Sequence, residues 1–215
     1  IRELFMNKLN VVILISGYGS NLKNIINYNK KKEININITC VISDNANANG
    51  LKIAREENIE TCLIDNKKEL GQELDKILAN KKMDLIVLAG FMKILPPNII
   101  QKYFGKILNI HPSLLPKYPG LNTHEQVIKN NESEHGATVH FVTEKLDGGP
   151  LIIQGKIKIK NTDTIKCLKE KVHKIEYEIY PIAINWFQKG LIKQEKNFFI
   201  FKNKRIDKPI EHILG

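Results

Sequence analysis

Residues 10–22 have the sequence NVVILISGYGSNL, an apolar run followed by two glycines and a polar segment. The run at residues 10–16 is short, continuous and apolar, which predicts a strand that is buried on both faces. After the glycines, apolar side chains at helical spacing predict a helix over residues 21–28. A buried strand, a tight turn and a helix are the first unit of an α/β fold.

The alternation of strands and helices continues through the first half of the chain. Further strands are predicted at residues 36–43, 59–64, 85–89 and 106–110, and helices at residues 51–57 and 69–80. Short apolar strands that alternate with helices favour a mostly parallel central sheet with helices on both faces. The fold class is therefore predicted to be α/β.

The second half of the chain has a different pattern. Further strands are predicted at residues 138–142 and 151–159, and an edge hairpin or a loosely held strand is predicted from residues 197–202 onward. Thr162 or Asp163 is expected to cap a long helix that runs to about residue 188 and ends at Gly190. Because two strands follow each other here without a helix between them, we expect a mixed C-terminal part.

Composition narrows the classes of protein to consider. The chain has 215 residues, 42% of them hydrophobic, which suits one domain with a sizeable core. The apolar run at residues 11–15 is too short to span a bilayer and lacks the flanks of a signal peptide, so we expect a cytoplasmic protein without a membrane segment. Cys40, Cys62 and Cys167 are widely spaced, which indicates neither a zinc site nor a disulfide framework. Cys40 and Cys62 are expected to be buried thiols.

The formal net charge is +10, which suits either nucleic acid or small anionic substrates. Lysine is abundant along the whole chain together with asparagine and isoleucine, and a codon-level bias explains this without a nucleic-acid partner. We therefore expect no nucleic-acid binding. The alternative is an RNA-binding module, in which aromatic and basic residues of the tail would form the binding face. These residues are Phe198, Phe199, Phe201, Lys202, Lys204 and Arg205.

The glycine-rich turn at residues 16–21 is a candidate phosphate site. A helix start offers free N–H groups and a positive dipole end, and glycines let the backbone approach an anion closely. A dinucleotide site is the first alternative, because Gly17, Gly19 and Asp44 fit part of that pattern. Its third glycine position holds Leu22, however, which argues against it. A turn that binds no ligand is the second alternative.

Asn109 and His111 form the second candidate site. They are two residues apart at the end of an apolar strand, so both side chains lie on one face of the sheet. The carboxyl ends of strands in an α/β sheet are where ligands usually bind. Asp147 is followed by Gly148 and Gly149, which permit close approach of a ligand. The alternatives are a strand-end pair that satisfies backbone groups and a plain turn.

Five segments together resemble one known family. They are residues 13–22 (ILISGYGSNL), 88–92 (LAGFM), 109–120 (NIHPSLLPKYPG), 135–142 (HGATVHFV) and 146–150 (LDGGP). The chain resembles the folate-dependent phosphoribosylglycinamide formyltransferases from its first predicted strand to near the end of the long helix. The resemblance implies a Rossmann-like formyltransferase fold. It also implies formyl transfer from the co-substrate 10-formyltetrahydrofolate to the amine of glycinamide ribonucleotide in purine biosynthesis, without a metal.

The resemblance implies specific roles as well. Asn109, His111 and Asp147 match the family's catalytic trio, in which the amide and the imidazole stabilise an oxyanion and the carboxylate assists proton transfer. The residues implied for the ribonucleotide are Gly19, Ser20, Asn21, His173, Lys174, Ile175 and Glu176. Those implied for folate are Met92, Lys93, Ile94, Leu95, Asn109, Thr143, Glu144, Lys145, Leu146 and Asp147.

Two departures from the family pattern affect these assignments. Tyr18 stands between the glycines where the family often has Asn, which changes a side chain near the expected phosphate and leaves the backbone unchanged. The region at residues 65–70 is short, and a folate-contacting arginine of the family has no clear equivalent there. Lys67 or Lys68 is the candidate replacement.

Two related enzymes remain as alternatives to the expected one. Methionyl-tRNA formyltransferase carries an additional C-terminal domain for tRNA, which is not expected here because the sequence ends at Gly215. Formyltetrahydrofolate hydrolase usually carries a preceding regulatory domain, for which the segment before Asn10 is too short. We therefore expect small-molecule substrates and a monomer or homodimer.

The chain is expected to be a single formyltransferase domain over residues 1–215. Its expected parts are a nucleotide-binding half at residues 10–110, a folate-binding and catalytic half at residues 111–190 and a tail at residues 191–215. The histidines lack paired ligand spacing, so no metal site is expected. His135 and His140 are expected to be ordinary strand residues.

Overall fold

The computed structural model describes residues 8–212. Its strands are β1 (Leu9–Ile15), β2 (Ile36–Ser43), β3 (Thr61–Leu63), β4 (Leu85–Leu88), β5 (Ile107–His111), β6 (Glu134–Phe141), β7 (Leu151–Lys158), β8 (Ile192–Gln194), β9 (Phe199–Phe201), β10 (Lys204–Ile206) and β11 (Ile210–His212). Its helices are α1 (Ser20–Lys30), α2 (Asn49–Glu56), α3 (Leu70–Ala79), α4 (Pro97–Lys102), α5 (Thr123–Lys129) and α6 (Ile165–Gln188).

The main sheet has the strand order β11-β7-β6-β5-β4-β1-β2-β3. Strands β3, β2, β1, β4 and β5 are parallel, β6 runs antiparallel to β5, and β7 runs antiparallel to β6. The chain leaves β1 toward β2 on one side and returns to β4 on the other. The carboxyl ends of β1 and β4 therefore flank a topological switch point, where ligands bind in such sheets. The predicted α/β fold with a mostly parallel sheet and a mixed C-terminal part is confirmed.

Both faces of the sheet are covered, as the apolar run of β1 predicts. Val11, Ile13 and Ile15 pack into one core with residues of α1, α2 and α6. Val12 and Leu14 point the other way, into a second core with residues of α3 and α4. This alternation explains why β1 has no polar face: each side of the strand meets helices.

Helix α6 connects the two halves of the sheet. The Tyr180 side chain is fully buried, and its hydroxyl contacts the carbonyl oxygens of Leu88 on β4 at 2.9 Å and of Leu108 on β5 at 3.0 Å. The predicted cap of this helix is wrong by one or two residues. Thr164 caps it by accepting a hydrogen bond from the Cys167 amide, because Asp163 is occupied by an ion pair with Lys171.

Several predicted element boundaries differ from the structure. Strand β6 begins at Glu134, four residues before the predicted start, and β3 is shorter than predicted. Helices α4 and α5 and strands β8 and β11 were not predicted, since they are short and carry few periodic apolar residues. Cys40 is buried as expected, whereas Cys62 is only half-buried on edge strand β3; both thiols are free.

The aromatic tail packs inward rather than forming an exposed platform. Strands β8, β9 and β10 form a small antiparallel sheet, where an edge hairpin or a loosely held strand was predicted. Phe199 is buried in the core, Phe201 packs edge-on against Trp186 and Arg205 covers Phe198. These contacts argue against the RNA-binding alternative, which needs exposed rings. None of the helices within residues 8–212 combines the length and hydropathy needed to cross a bilayer.

Candidate active site

A cavity of about 900 Å³ opens at the switch point between β1 and β4. It is lined by the glycine-rich turn after β1, the segment after β4, the end of β5, the loop at residues 142–147 and one face of α6. Parts of the chain that are distant in sequence meet here because parallel strands present their carboxyl ends at one edge. The two candidate sites predicted from the sequence therefore share one cavity.

The glycine-rich turn places the start of α1 at this cavity. Gly19 precedes the helix in a left-handed conformation, with φ of 76°. A Cβ on Gly19 would lie 2.5 Å from the Gly50 Cα, so this turn requires glycine for both its conformation and its packing. Asp44 accepts a hydrogen bond from the Ser16 hydroxyl at 2.6 Å and does not line the cavity, which argues against the dinucleotide alternative.

Asn21 and Glu176 join the first turn of α1 to α6. The Asn21 side-chain amide donates to the Glu176 carboxylate at 2.9 Å, and both residues are more than nine-tenths buried. The other polar atom of Asn21, its Oδ1, has no hydrogen-bond partner among residues 8–212. Burial raises the pKa of Glu176 from 4.5 to about 7, against the opposing effects of the Asn21 bond and the Lys169 charge.

Glu176 is expected to make stability depend on pH. The folded state holds the Glu176 proton more tightly than the unfolded state, so the contribution of Glu176 to stability is fully present below pH 4.5 and is lost as pH rises through about 7. This pKa shift corresponds to a loss of roughly 3 kcal/mol in the free energy of unfolding once Glu176 is ionised. Glu176→Gln should therefore stabilise the ligand-free protein by about that amount near pH 8, with little effect near pH 4. Denaturant unfolding at both pH values tests this, and parallel stability profiles of the two proteins would contradict it.

Asn109, His111 and Asp147 converge at one wall of the cavity. The His111 Nδ1 lies 3.5 Å from a carboxylate oxygen of Asp147, and that oxygen also accepts from the Gly120 amide at 2.8 Å. The other ring nitrogen of His111 contacts the Tyr118 carbonyl oxygen at 2.8 Å. Since a carbonyl oxygen only accepts, this Nε2 carries a proton, and Nδ1 is the atom at which His111 exchanges one.

His140 is a member of this cluster that the sequence prediction missed. It lies on β6 as expected, but its Nε2 is 3.1 Å from the Asn109 side-chain amide and 3.6 Å from Asp147. Its Nδ1 donates to the Phe141 carbonyl oxygen at 2.8 Å. A neutral His140 therefore has a lone pair at Nε2 that accepts from Asn109. This contact orients the amide of Asn109 and leaves its second N–H free to face the cavity.

The environment sets opposite preferences for the charges of His111 and Asp147. Burial lowers the pKa of His111, although the Tyr118 carbonyl and the Asp147 carboxylate oppose this effect. Burial would raise the pKa of Asp147, but the hydrogen bond from the Gly120 amide holds that pKa below its usual value. The resting pair is thus a carboxylate beside a neutral imidazole, which is ready to accept a proton.

The predicted folate residues line the cavity together. Met92 and Ile94 are 62% and 67% exposed, and Leu146 is 51% exposed, which is unusual for large apolar side chains. Leu95 is buried behind them, and Lys93 and residues 143–145 complete this wall. Exposed apolar side chains around a cavity are typical of a site that binds an aromatic ligand.

The predicted segment at residues 173–176 meets the cavity only through His173 and Glu176. Residues three apart on a helix share a face, whereas the two between them point elsewhere. Ile175 is fully buried against Gly155, and Lys174 is exposed to solvent. The implied contacts of Lys174 and Ile175 with a ligand therefore do not fit their positions. Gly19, Ser20 and Asn21 do line the cavity, and so does Tyr18, which is 87% exposed.

Other titratable groups near this site do not form a metal centre. His124 lines the cavity, and its Nδ1 is 3.0 Å from the Nε2 of His135. Burial, with the neighbouring histidines, lowers the pKa of His135 to about 4, so this imidazole is neutral at physiological pH. Across residues 8–212, no group of three or more His, Cys, Asp or Glu side chains is placed to hold a metal ion.

A Rossmann-like parallel half joined to an antiparallel hairpin, with this polar cluster at the junction, defines the class of α/β formyltransferases. The model of the formyl transferase family matches residues 9–184. Phosphoribosylglycinamide formyltransferase of Haemophilus influenzae is 42% identical over 203 residues, covering 92% of this chain and 96% of that protein. The Escherichia coli enzyme of the same name is 44% identical over 194 residues, covering 88% and 92%.

Solved structures agree with these matches. The phosphoribosylglycinamide formyltransferase of Coxiella burnetii superposes with a TM-score of 0.91 at 41% identity, over 95% of this chain and 99% of that one. The chain belongs to the formyl transferase family, among the phosphoribosylglycinamide formyltransferases. The resemblance found in the sequence is thereby confirmed.

Proposed function

We propose that the chain transfers the formyl group of 10-formyltetrahydrofolate to the amine of glycinamide ribonucleotide, N1-(5-phospho-D-ribosyl)glycinamide, in purine biosynthesis. The observation that carries the proposal is the position of Asn109, His111 and Asp147 on one wall of a cavity. That cavity has a glycine-bounded helix start on one side and exposed apolar side chains on another. Such a site fits a phosphorylated acceptor and an aromatic donor at once.

Asn109 and His111 act on the reacting formyl group. Attack by an amine on a formyl carbon develops negative charge on the formyl oxygen, and the free N–H of Asn109 donates to that oxygen. The attacking amine loses a proton as the new C–N bond forms, and the departing nitrogen of the folate gains one. His111, supported by Asp147, accepts and returns this proton at Nδ1. No covalent enzyme intermediate is needed, because the amine itself is the nucleophile.

The ribonucleotide occupies the part of the cavity between α1 and α6. Backbone amides at residues 19–21 bind the phosphate, and the positive end of the helix dipole favours its charge. Glu176 accepts from the ribose hydroxyls, and the unpartnered Oδ1 of Asn21 is a further acceptor nearby. Both ligand positions draw on both parts of the chain, since Glu176 lies in residues 111–190 and the folate wall at Met92 lies in residues 10–110. This departs from the expected division into a nucleotide-binding half and a folate-binding half.

The folate lies along Met92, Ile94 and the loop at residues 143–147. Lys67 is the better replacement for the family's folate-contacting arginine, because the Lys68 ammonium is held in ion pairs with Asp65 at 3.3 Å and Glu73 at 3.7 Å. The Lys67 side chain has no such pair among the described contacts. It is therefore free to meet the acidic end of a folate.

An acceptor comparison tests the proposed function. Purified protein is mixed with 10-formyltetrahydrofolate and either glycinamide ribonucleotide, initiator methionyl-tRNA or no added acceptor, and release of tetrahydrofolate is followed. We expect rapid release only with the ribonucleotide. Equal release without an acceptor would identify a hydrolase, and release only with the tRNA would identify a methionyl-tRNA formyltransferase; either result would overturn the proposal.

A further inference from the structure

Helix α6 presents a third polar side chain to the cavity besides His173 and Glu176. Lys169 also lines the cavity, and it was not among the residues predicted for the site. The spacings of four and three residues place all three side chains on one face of the helix. The face that meets the ribonucleotide part of the site therefore carries an ammonium group, one turn before His173.

The Lys169 ammonium affects the pKa values of three neighbouring side chains. Burial is the main cause of the lowered pKa of His173, and the Lys169 ammonium adds to the effect. Burial also lowers the pKa of His124; the Glu125 carboxylate opposes this effect, and the Lys169 ammonium adds to it. In Glu176 the same ammonium opposes the effect of burial. Three side chains that line this part of the cavity thus lie within the electrostatic reach of Lys169.

Lys169 has no carboxylate partner among the ion pairs of residues 8–212. Lys171, two residues further on, is bound by Asp163, and Lys93 on the folate wall donates to Asn66. Burial favours the neutral form of His173 beside Lys169. A positive charge without a counter-ion in a cavity attracts an anionic group of the ligand.

We infer that Lys169 is a specificity-determining residue, whose ammonium binds the phosphate of the ribonucleotide together with the backbone amides of residues 19–21. The inference rests on the proposed function for the identity of the ligand. Two observations support it. Lys169 lines the cavity and has no ion-pair partner among residues 8–212. The buried, unpartnered Oδ1 of Asn21 accepts only, so it suits a hydroxyl of the ribose that carries the phosphate. The amides hold the phosphate by hydrogen bonds, and Lys169 supplies the full charge that they lack.

The alternative is that Lys169 is a solvated surface charge, because the residue is exposed. The two cases differ in which ligand loses affinity. A phosphate-binding lysine affects only acceptors that carry a phosphate, whereas a solvated lysine affects none. Lys166 supplies a matched control, since it is an exposed lysine of the same helix that does not line the cavity.

Lys169→Gln, Lys169→Arg and Lys166→Gln are compared with the parent protein in steady-state assays. Lys169→Gln should raise the KM for the ribonucleotide by about 10- to 100-fold, which corresponds to about 1.4–2.8 kcal/mol and is the size expected for a hydrogen bond to a charged group. The KM for 10-formyltetrahydrofolate should stay within about twofold of the parent value, and Lys169→Arg should restore most of the lost affinity. Lys166→Gln should match the parent.

Direct binding separates this inference from the proposed activity. Ribose 5-phosphate and ribose are titrated against each protein by calorimetry, which needs no turnover. The parent should prefer the phosphorylated sugar, and Lys169→Gln should lose most of that preference. An unchanged preference, or the same loss in Lys166→Gln, would overturn the assignment. If no formyl transfer occurs but the preference still depends on Lys169, the proposed acceptor is wrong and the phosphate site stands.

Discussion

Asn109→Ala is expected to lower kcat by about 100- to 1,000-fold, because loss of one oxyanion donor costs about 2.7–4 kcal/mol of transition-state stabilisation. Asn109 is half-buried in the middle of β5, and its side-chain amide contacts the His140 ring at 3.1 Å. The substitution leaves the buried Nε2 of His140 without this partner, so we expect a modest loss of stability that does not unfold the protein under assay conditions. The loss should appear in kcat, with both KM values changed much less, since the donor acts mainly in the transition state.

The matched control for Asn109→Ala is Asn37→Ala. Asn37 is also a strand asparagine with one side-chain hydrogen bond, to Asn10 at 3.1 Å, but it lies outside the cavity. We expect this variant to retain the activity of the parent. A large fall in kcat with the control, or a fall in melting temperature that accounts for the lost activity of Asn109→Ala, would show that Asn109 serves folding instead of transfer.

Gly149→Ala is expected to reduce activity almost as strongly as Asn109→Ala, although it changes none of the side chains of Asn109, His111 and Asp147. A Cβ at this position would lie 1.9 Å from the Phe141 carbonyl oxygen, which is backbone and cannot move aside. The loop must shift, and it carries Asp147, whose carboxylate is held by the Gly120 amide and lies beside His111. Since a displacement of about 1 Å costs on the order of 100-fold in rate, we expect a loss of that size in kcat.

Gly148→Ala is the matched control for Gly149→Ala, because it makes the same change at the neighbouring glycine without a clash against backbone. The three atoms nearest to a Cβ on Gly148 all belong to the exposed side chain of Lys145. A change of rotamer moves its Cγ and Cδ away and leaves only a tight contact of 3.0 Å with its Cβ. We therefore expect Gly148→Ala to keep most of the activity and Gly149→Ala to lose it. Comparable rates for the two variants would mean that the backbone contact at Gly149 does not position Asp147.

The sequence predicted the parts of the site that depend on local pattern. The period of two in β5 places Asn109 and His111 on one face, and the glycine-rich turn marks the start of α1. It could not predict His140, because the partner of Asn109 depends on the register of an antiparallel strand that begins 23 residues after His111. Lys169 was missed for a related reason: helical periodicity gives a face, but only packing shows which face meets the cavity.

The register between β5 and β6 also governs which changes of chain length this protein can tolerate. Asn109 lies directly opposite His140, and His111 opposite Thr138. One residue inserted within either strand would turn the following side chains to the other face and separate the amide from the imidazole. The connecting turn at residues 130–133 follows α5 and does not line the cavity. Added residues there leave the strand pairing intact, provided that Glu132 keeps its hydrogen bond from the Tyr118 hydroxyl. We therefore expect insertions to be tolerated at that turn and not within β5 or β6.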